Sequence, residues 1–271
     1  MNQRLVFLIL ILGFSISSYA QKNKNVEWAA IPAPSYNDIQ GFGLTVTAGL
    51  FYDISKKDTV SDPSSTFVYG FYAENESWVG AIFHQSYLNE NRNWFDILYA
   101  GGNLNFQIYQ QNPFNDGQNF AIDYSTRFQI LKLNYLRKIW GGIYAGLHYK
   151  LSNFNTEFDI GIPDSLNLPN YSTDAFYSGP GIKLAYDSRD YKLNPKKGIH
   201  ANVITQHFNT AFGSDANFNT VEIEYNQYMP INTAQVLAAR FYSFIGFGEV
   251  AFEEQPILGR AGPRGNDVRG Y

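Results

Sequence analysis

Between Gly41 and Tyr52 the chain alternates at a period of two. Phe42, Leu44, Val46, Ala48, Leu50 and Tyr52 fall on one face, with Gly43, Thr45, Thr47 and Gly49 opposite. Side chains at i, i+2 and i+4 share a side only in a β-strand. A helix would need apolar spacings of three and four, and would lose about 1 kcal/mol at each interior glycine. The same alternation returns in Phe67–Phe71, Val79–Phe83 and Phe95–Tyr99. It is broken at Gly101-Gly102, resumes in Leu104–Ile108, and recurs from Tyr124 onward. At Ile130-Leu131 the apolar parity shifts by one residue, which reads as a β-bulge. Further alternating segments are Ile143–Phe154, Phe176–Tyr186, Ile199–Phe208, Phe218–Met229 and Val236–Phe247. The reading gives about eleven segments, of the ~9–11 residues that a membrane-crossing strand needs.

Composition decides between sheet architectures. Aromatic residues make up 17% and charged residues 16%, yet mean hydropathy is −0.27. Many large rings in a chain that is polar on average suit strands with one face to lipid and the other to water. A soluble sandwich would turn a polar face outward and would not need so many outward rings. Cysteine is absent, which excludes a disulfide scaffold, a thiolate metal site and a cysteine nucleophile. The net charge of −4 leaves no basic face for a phosphate backbone, so nucleic acid is not an expected partner.

The N-terminus carries Arg4, the apolar run Leu5–Ile16 and the small-x-small site Ser18-Tyr19-Ala20. This is the pattern of a cleaved secretory signal peptide, and the run falls short of the ~20 residues of a spanning helix. Residues 1–20 are therefore read as a signal peptide, 21–40 as a polar, proline-containing lead, and 41–271 as the barrel domain. Long polar connectors (Asp53–Ser64, Gln110–Phe120, Asn155–Thr173, Asn209–Asn217) alternate with short ones (Asn75–Ser77, Gly101-Gly102, Arg137–Gly142, Pro230–Ala234). Long loops on one side and short turns on the other are the outer-membrane pattern. The fold class expected is all-β, a transmembrane antiparallel up-and-down β-barrel. Tyr52, Trp78, Trp94, Trp140, Tyr186, Tyr228 and Phe247, near strand ends, are expected in interfacial girdles.

Four further elements occur in order: Asp187-Ser-Arg189-Asp190, Pro195-Lys-Lys-Gly198, Tyr228-Met-Pro230 and Val268-Arg269-Gly270-Tyr271. Together they resemble the BamA/TamA family of outer-membrane proteins. In that family Asp-x-Arg-Asp and Pro-x-x-Gly build a periplasmic strand–turn–strand, and Val/Ile-Arg-Gly-Phe/Tyr marks the long sixth extracellular loop. The close resemblance covers Gly179–Tyr271, and the lead IPAPSYNDIQGFG is also similar to small members. The resemblance implies about sixteen strands, even-numbered as in most bacterial barrels. On that count the last five or so lie beyond Tyr271, and the sequence is expected to be C-terminally truncated. The family's usual POTRA modules do not fit in the lead, which would make this a POTRA-less member with its lead in the periplasm.

The implied activity is non-covalent, not enzymatic: outer-membrane protein insertion or assembly, or translocation. Outer-membrane lipid is the expected surroundings, with other assembly proteins or client barrels as partners and no cofactor. A passive, porin-like diffusion channel is the alternative. An outer-membrane lipase comes third, because Ser86 beside His84 forms no recognised motif. The histidines at 84, 148, 200 and 207 lack zinc-site spacing. In the resembled family the signature Arg, here Arg269, meets acidic residues inside the barrel. The candidates within this chain are Glu222 and Glu224, with Arg240 on the neighbouring strand. Lipid rejects charge, so Thr220, Glu222, Glu224, Asn226 and Arg240 are expected to face the lumen. Val221, Ile223, Tyr225, Leu237, Ala239 and Phe241 are then expected to face lipid. The glycine-rich Gly246–Tyr271 segment is expected to turn inward.

Overall fold

The computed structural model describes residues 26–37, 40–55, 57–111, 119–159, 171–192 and 194–255. The signal-peptide residues and the signature Val268, Arg269, Gly270 and Tyr271 lie outside the described residues. Eleven strands follow one another in chain order across a single sheet. They are β1 (Val26–Asn37), β2 (Gly41–Tyr52), β3 (Ser64–Ala73), β4 (Trp78–Leu88), β5 (Asn93–Gln111), β6 (Asn119–Trp140), β7 (Ile143–Asp159), β8 (Tyr171–Asp187), β9 (Gly198–Phe208), β10 (Phe218–Pro230) and β11 (Val236–Gly248). Neighbours pair antiparallel, so the fold is an all-β, up-and-down meander. Among the described residues the only helix is a pair of single 3₁₀ turns, Thr210–Phe212 and Phe252–Glu254. The chain forms two compact units, which divide at residues 130/131, 154/155 and 173/174.

In the first unit the sequence reading needs three corrections. The lead is not a connector: Val26–Asn37 is strand β1, in register with β2 from Val26↔Tyr52 to Asn37↔Gly41. Pro32 and Pro34 disguised it, since proline lacks the ladder N–H. Their same parity in a strand that pairs with β2 alone, among the described residues, confines the missing donors to one side. Nor is Gly101-Gly102 a turn. β5 runs through it, with Gly80↔Gly101 and Val79↔Gly102 in register. Phe95, Ile97 and Tyr99 are exposed, whereas Trp94, Asp96, Gly102 and Leu104 on the other parity are buried. The apparent break arises because the apolar residues change face: outward up to Tyr99, inward at Leu104 and Phe106, whose ring stacks on Tyr124 at 5.9 Å. The missed strand and the false turn cancel in the strand count.

The parity shift in β6 is likewise not a bulge. Odd positions stay outward through Arg127, Gln129, Leu133 and Tyr135, and even positions stay inward through Thr126 and Leu136. What changes is the outward residue type, polar before Ile130 and apolar after it. These strands, 19 and 22 residues long, exceed the ~9–11 residues that cross a bilayer. The strict segregation of long loops from short turns also fails. Connections of a meander alternate between strand ends. With β5 unbroken, the long connection after Tyr52 falls on the same parity as the two-residue Gly141-Gly142 turn.

In the second unit the side chains divide cleanly by face. Directly paired residues share a face. Lys183↔Ile204↔Glu222↔Phe244, Ala185↔Asn202↔Glu224↔Tyr242 and Asp187↔His200↔Asn226↔Arg240 form one wall. Leu184↔Val203↔Ile223↔Ser243 and Tyr186↔Ala201↔Tyr225↔Phe241 form the other. The second wall is apolar yet exposed, with Leu184 at 49% and Phe241 at 57%. The first is polar yet buried at Lys183, Asp187, Asn202 and Gln206. An exposed apolar face opposite a buried polar one reverses the order of a water-soluble sheet.

Candidate functional site

The turn from β8 to β9 is built by the motif residues themselves. The Asp187 carboxylate is fully buried and accepts from Arg189 Nε at 3.0 Å, Arg189 Nη2 at 2.7 Å and Lys192 Nζ at 2.7 Å. The spacing of two lets the guanidinium fold back as a fork onto the carboxylate. Arg189 Nη1 also donates to the Lys192 carbonyl at 3.0 Å. Asp190 performs a different task. Its Oδ1 accepts the backbone N–H groups of Tyr191, Lys196 and Lys197 at 3.0, 2.9 and 3.2 Å. Desolvation pushes the Asp190 pKa up, but these N–H donors outweigh it and the net direction is down. Pro195, half-buried, fixes the backbone just before the Lys196 and Lys197 donors. Gly198 has φ +108°, and a Cβ there would strike the Ser188 carbonyl, so glycine alone fits the start of β9. At the same end of β8, Asp187 N donates to the Gly142 carbonyl at 2.9 Å. A methyl on Gly142 would come within 2.5 Å of the Asp187 carbonyl oxygen.

Along the polar wall, Glu224 lies 3.6 Å from Arg240 and accepts from Asn226 Nδ2 at 3.3 Å. Arg240 also sits 5.9 Å from the Tyr242 ring centroid. Glu222 lies on the same wall opposite Ile204 and Phe244, one pair step from Glu224. The register thus brings Glu222, Glu224 and Arg240 onto one face, with the turn's Asp187 in the same pairing row as Arg240. His148 joins this wall from β7. It is buried between Asn134 Oδ1 at 2.7 Å and Gln206 Oε1 at 3.3 Å.

The sequence reading missed the acidic pair Glu253-Glu254, which follows β11. Glu254 forms an ion pair with Lys150, with side chains only 5% and 12% exposed, and accepts from Ser152 Oγ at 2.6 Å. Tyr177 OH donates to Glu253 Oε2 at 3.0 Å. Beside them Phe154, Tyr177, Phe208 and Phe218 pack as an aromatic cluster, Phe208 and Phe218 stacked at 4.4 Å. No local signal marks these residues, because their partners lie 76 to 104 positions away.

One other expectation changes. Trp94 is not an interfacial ring: it is 2% exposed, on the buried face of β5, with its indole N–H on the Asp96 carboxylate. His84 meets Thr66 Oγ1 at 2.9 Å and Tyr52 OH at 3.4 Å, and Ser86 is buried. Trp78, Trp140 and Tyr186 are exposed near strand ends, at 47%, 78% and 40%.

A meander with an exposed apolar face, a buried polar face and a charge-locked β8–β9 turn is the strand pattern of membrane β-barrel proteins. Residues 40–271 match the Omp85 superfamily domain, and the chain belongs to that superfamily. Among solved structures it is similar to BamA from Haemophilus ducreyi lacking POTRA domains 1–3, at 15% identity and a TM-score of 0.45. That match covers 89% of this chain and 46% of the other, so the chain spans just under half the length of the solved relative. No curated protein matches the chain.

Proposed function

We propose that this chain belongs to an outer-membrane barrel that assists the insertion or translocation of other proteins at the outer membrane of a Gram-negative cell, reached through the N-terminal signal peptide. One observation carries the reading. The Omp85 match runs over residues 40–271 and contains the charge-locked turn of Asp187, Arg189, Asp190, Pro195 and Gly198. On this reading the polar wall of Glu222, Glu224 and Arg240 faces the lumen, the apolar wall faces lipid, and Val268–Tyr271 is the tip of the signature loop. Arg269 then seeks carboxylate partners inside the barrel, as a confined guanidinium must. Partners are client barrels, other assembly proteins and the lipid itself. The test places the complete protein in lipid vesicles and follows the folding rate of an unfolded client barrel added outside. Acceleration that is lost on Arg269→Ala supports the proposal. A steady, large conductance in planar bilayers with no acceleration of client folding overturns it in favour of a diffusion channel.

A further inference from the structure

The segment after β11 does not continue the strand direction. Gly248 adopts φ +84°, a left-handed conformation that ends β11 and turns the chain. Val250 N then donates to the Gly248 carbonyl at 3.1 Å, and the 3₁₀ turn Phe252–Glu254 closes with Glu254 N on the Ala251 carbonyl at 3.0 Å. Gln255 Nε2 ties back to the Val250 carbonyl at 2.8 Å. This single turn separates its side chains. Phe252 is 56% exposed, while Glu253 and Glu254 reach the wall of β7 and β8.

We propose that Glu253 and Glu254 are the tongue of a latch, and that Lys150, Ser152 and Tyr177 receive it, holding the chain after β11 on the polar wall independently of Arg269. The receiving groups are chemically matched. Lys150 supplies a cation to Glu254, and Ser152 and Tyr177 each donate a hydroxyl hydrogen, so both carboxylates accept bonds from the wall. Lys150 and Ser152 are two apart on β7 and therefore share its face. Lys150 Nζ also lies 5.9 Å from the Phe208 ring centroid. Its floor of Phe208, Phe218, Tyr177 and Phe154 excludes water and strengthens the charge pair above it. The pair joins residues 104 positions apart, so it exists only while the segment after β11 is folded back onto the wall.

The chain contains no cysteine, so two introduced cysteines carry spin labels without background. Labels go on Phe252→Cys in the turn and Ile182→Cys on the exposed face of β8, in the complete protein in lipid vesicles, and their distance distribution is read by double electron–electron resonance. The native background gives one narrow distance. Lys150→Glu or Glu254→Lys should raise the released population about a hundredfold, the scale of a broken, mostly buried ion pair, and the distribution broadens. The double swap Lys150→Glu with Glu254→Lys should narrow it again. Arg269→Ala alone should leave it narrow. Where a charge reversal prevents folding, Glu254→Gln and Ser152→Ala are read in the same way and should broaden the distribution by a smaller amount. Unchanged widths in the folded single variants, or broadening on Arg269→Ala equal to that on Lys150→Glu, would overturn the latch.

Discussion

Replacing Asp187 by alanine is the sharpest test of the β8–β9 turn. The side chain is wholly buried, and its two cations, Arg189 and Lys192, are 13% and 18% exposed. The substitution removes the acceptor of three side-chain bonds and of the Arg189 backbone N–H at 3.1 Å. Breaking a buried ion pair from one side costs about 3–5 kcal/mol, because the remaining charge loses its partner but not its burial. Here both cations retain some water, and Arg189 keeps its bond to the Lys192 carbonyl. The expected loss is therefore at the lower end, about 2–4 kcal/mol. Asp187→Asn keeps an acceptor oxygen and should lose roughly half as much, chiefly the charge contribution. The assay is urea unfolding of the barrel refolded in detergent, read on unboiled gels by the mobility of the folded form. Lys197→Ala, in the same turn with an exposed side chain, is the control. If Asp187→Ala shifts stability by less than about 0.5 kcal/mol, the ordinary range for surface changes, then the cluster does not hold the turn.

Three other outcomes follow from the same geometry. Gly198→Ala forces a methyl against the Ser188 carbonyl at φ +108° and should destabilise by about 1–3 kcal/mol in the same unfolding assay, whereas Gly141→Ala, which meets no atom within 4 Å, should cost less. Leu184→Arg puts a charge in the middle of the exposed apolar wall and should cost about 2–4 kcal/mol, seen as lower folding yield into vesicles; an unchanged yield would contradict the assignment of that wall to lipid. Asp58 ties the β2–β3 connection to the β4–β5 turn, accepting from Ser61 Oγ at 2.6 Å, Glu90 N at 3.0 Å and Ser61 N at 2.9 Å. The Ser61 hydroxyl and then these N–H groups hold its pKa below the usual carboxylate value. A depressed folded pKa stabilises above the unfolded value and is lost as pH falls through the folded one. Protection of residues 57–63 against hydrogen exchange, relative to the intrinsic rate at each pH, should therefore be high at neutral pH and fall below about pH 4, and Asp58→Asn should be weakly protected throughout.

The strand rhythm was legible wherever an exposed apolar face lies opposite a buried polar one. From Gly198 to Gly248 the alternation in sequence coincides with the paired rows of β9, β10 and β11. It misled where strands run past that zone. Outside it the outward position no longer needs an apolar residue, so Arg127 and Gln129 stand outward on β6 and Leu104 turns inward on β5. A pattern method then sees a parity change and supplies a turn or a bulge. β1 was hidden for another reason, since Pro32 and Pro34 are strand breakers except where one side of the ladder is open.

The candidate site divides along the same line between local and distant information. In the β8–β9 turn every side-chain bond of Asp187 and Asp190 described above reaches no further than seven residues. The chemistry of that turn is therefore written in one short stretch, and each motif residue has a task that its type dictates: a fork for Asp187, a carboxylate for three N–H groups, a glycine where no Cβ fits. Glu254 and Lys150 are 104 residues apart, and nothing in FEEQP or HYKLS separates them from ordinary charged residues. Only the register of an entire meander, carried from β7 to β11, brings them together. A one-residue slip of β7 would move Lys150, and one of β8 would move Tyr177, to the other wall, since such a shift exchanges a strand's two faces. The latch thus depends on every hairpin between its halves. Charge reversal at Glu254 should be insensitive to the Asp187 turn only while β8 and β9 keep their register, and combining Asp187→Ala with Glu254→Lys in the unfolding assay measures that dependence. An excess loss beyond the sum of the single variants marks a shared register; strict additivity would place the two locks in independent parts of the wall.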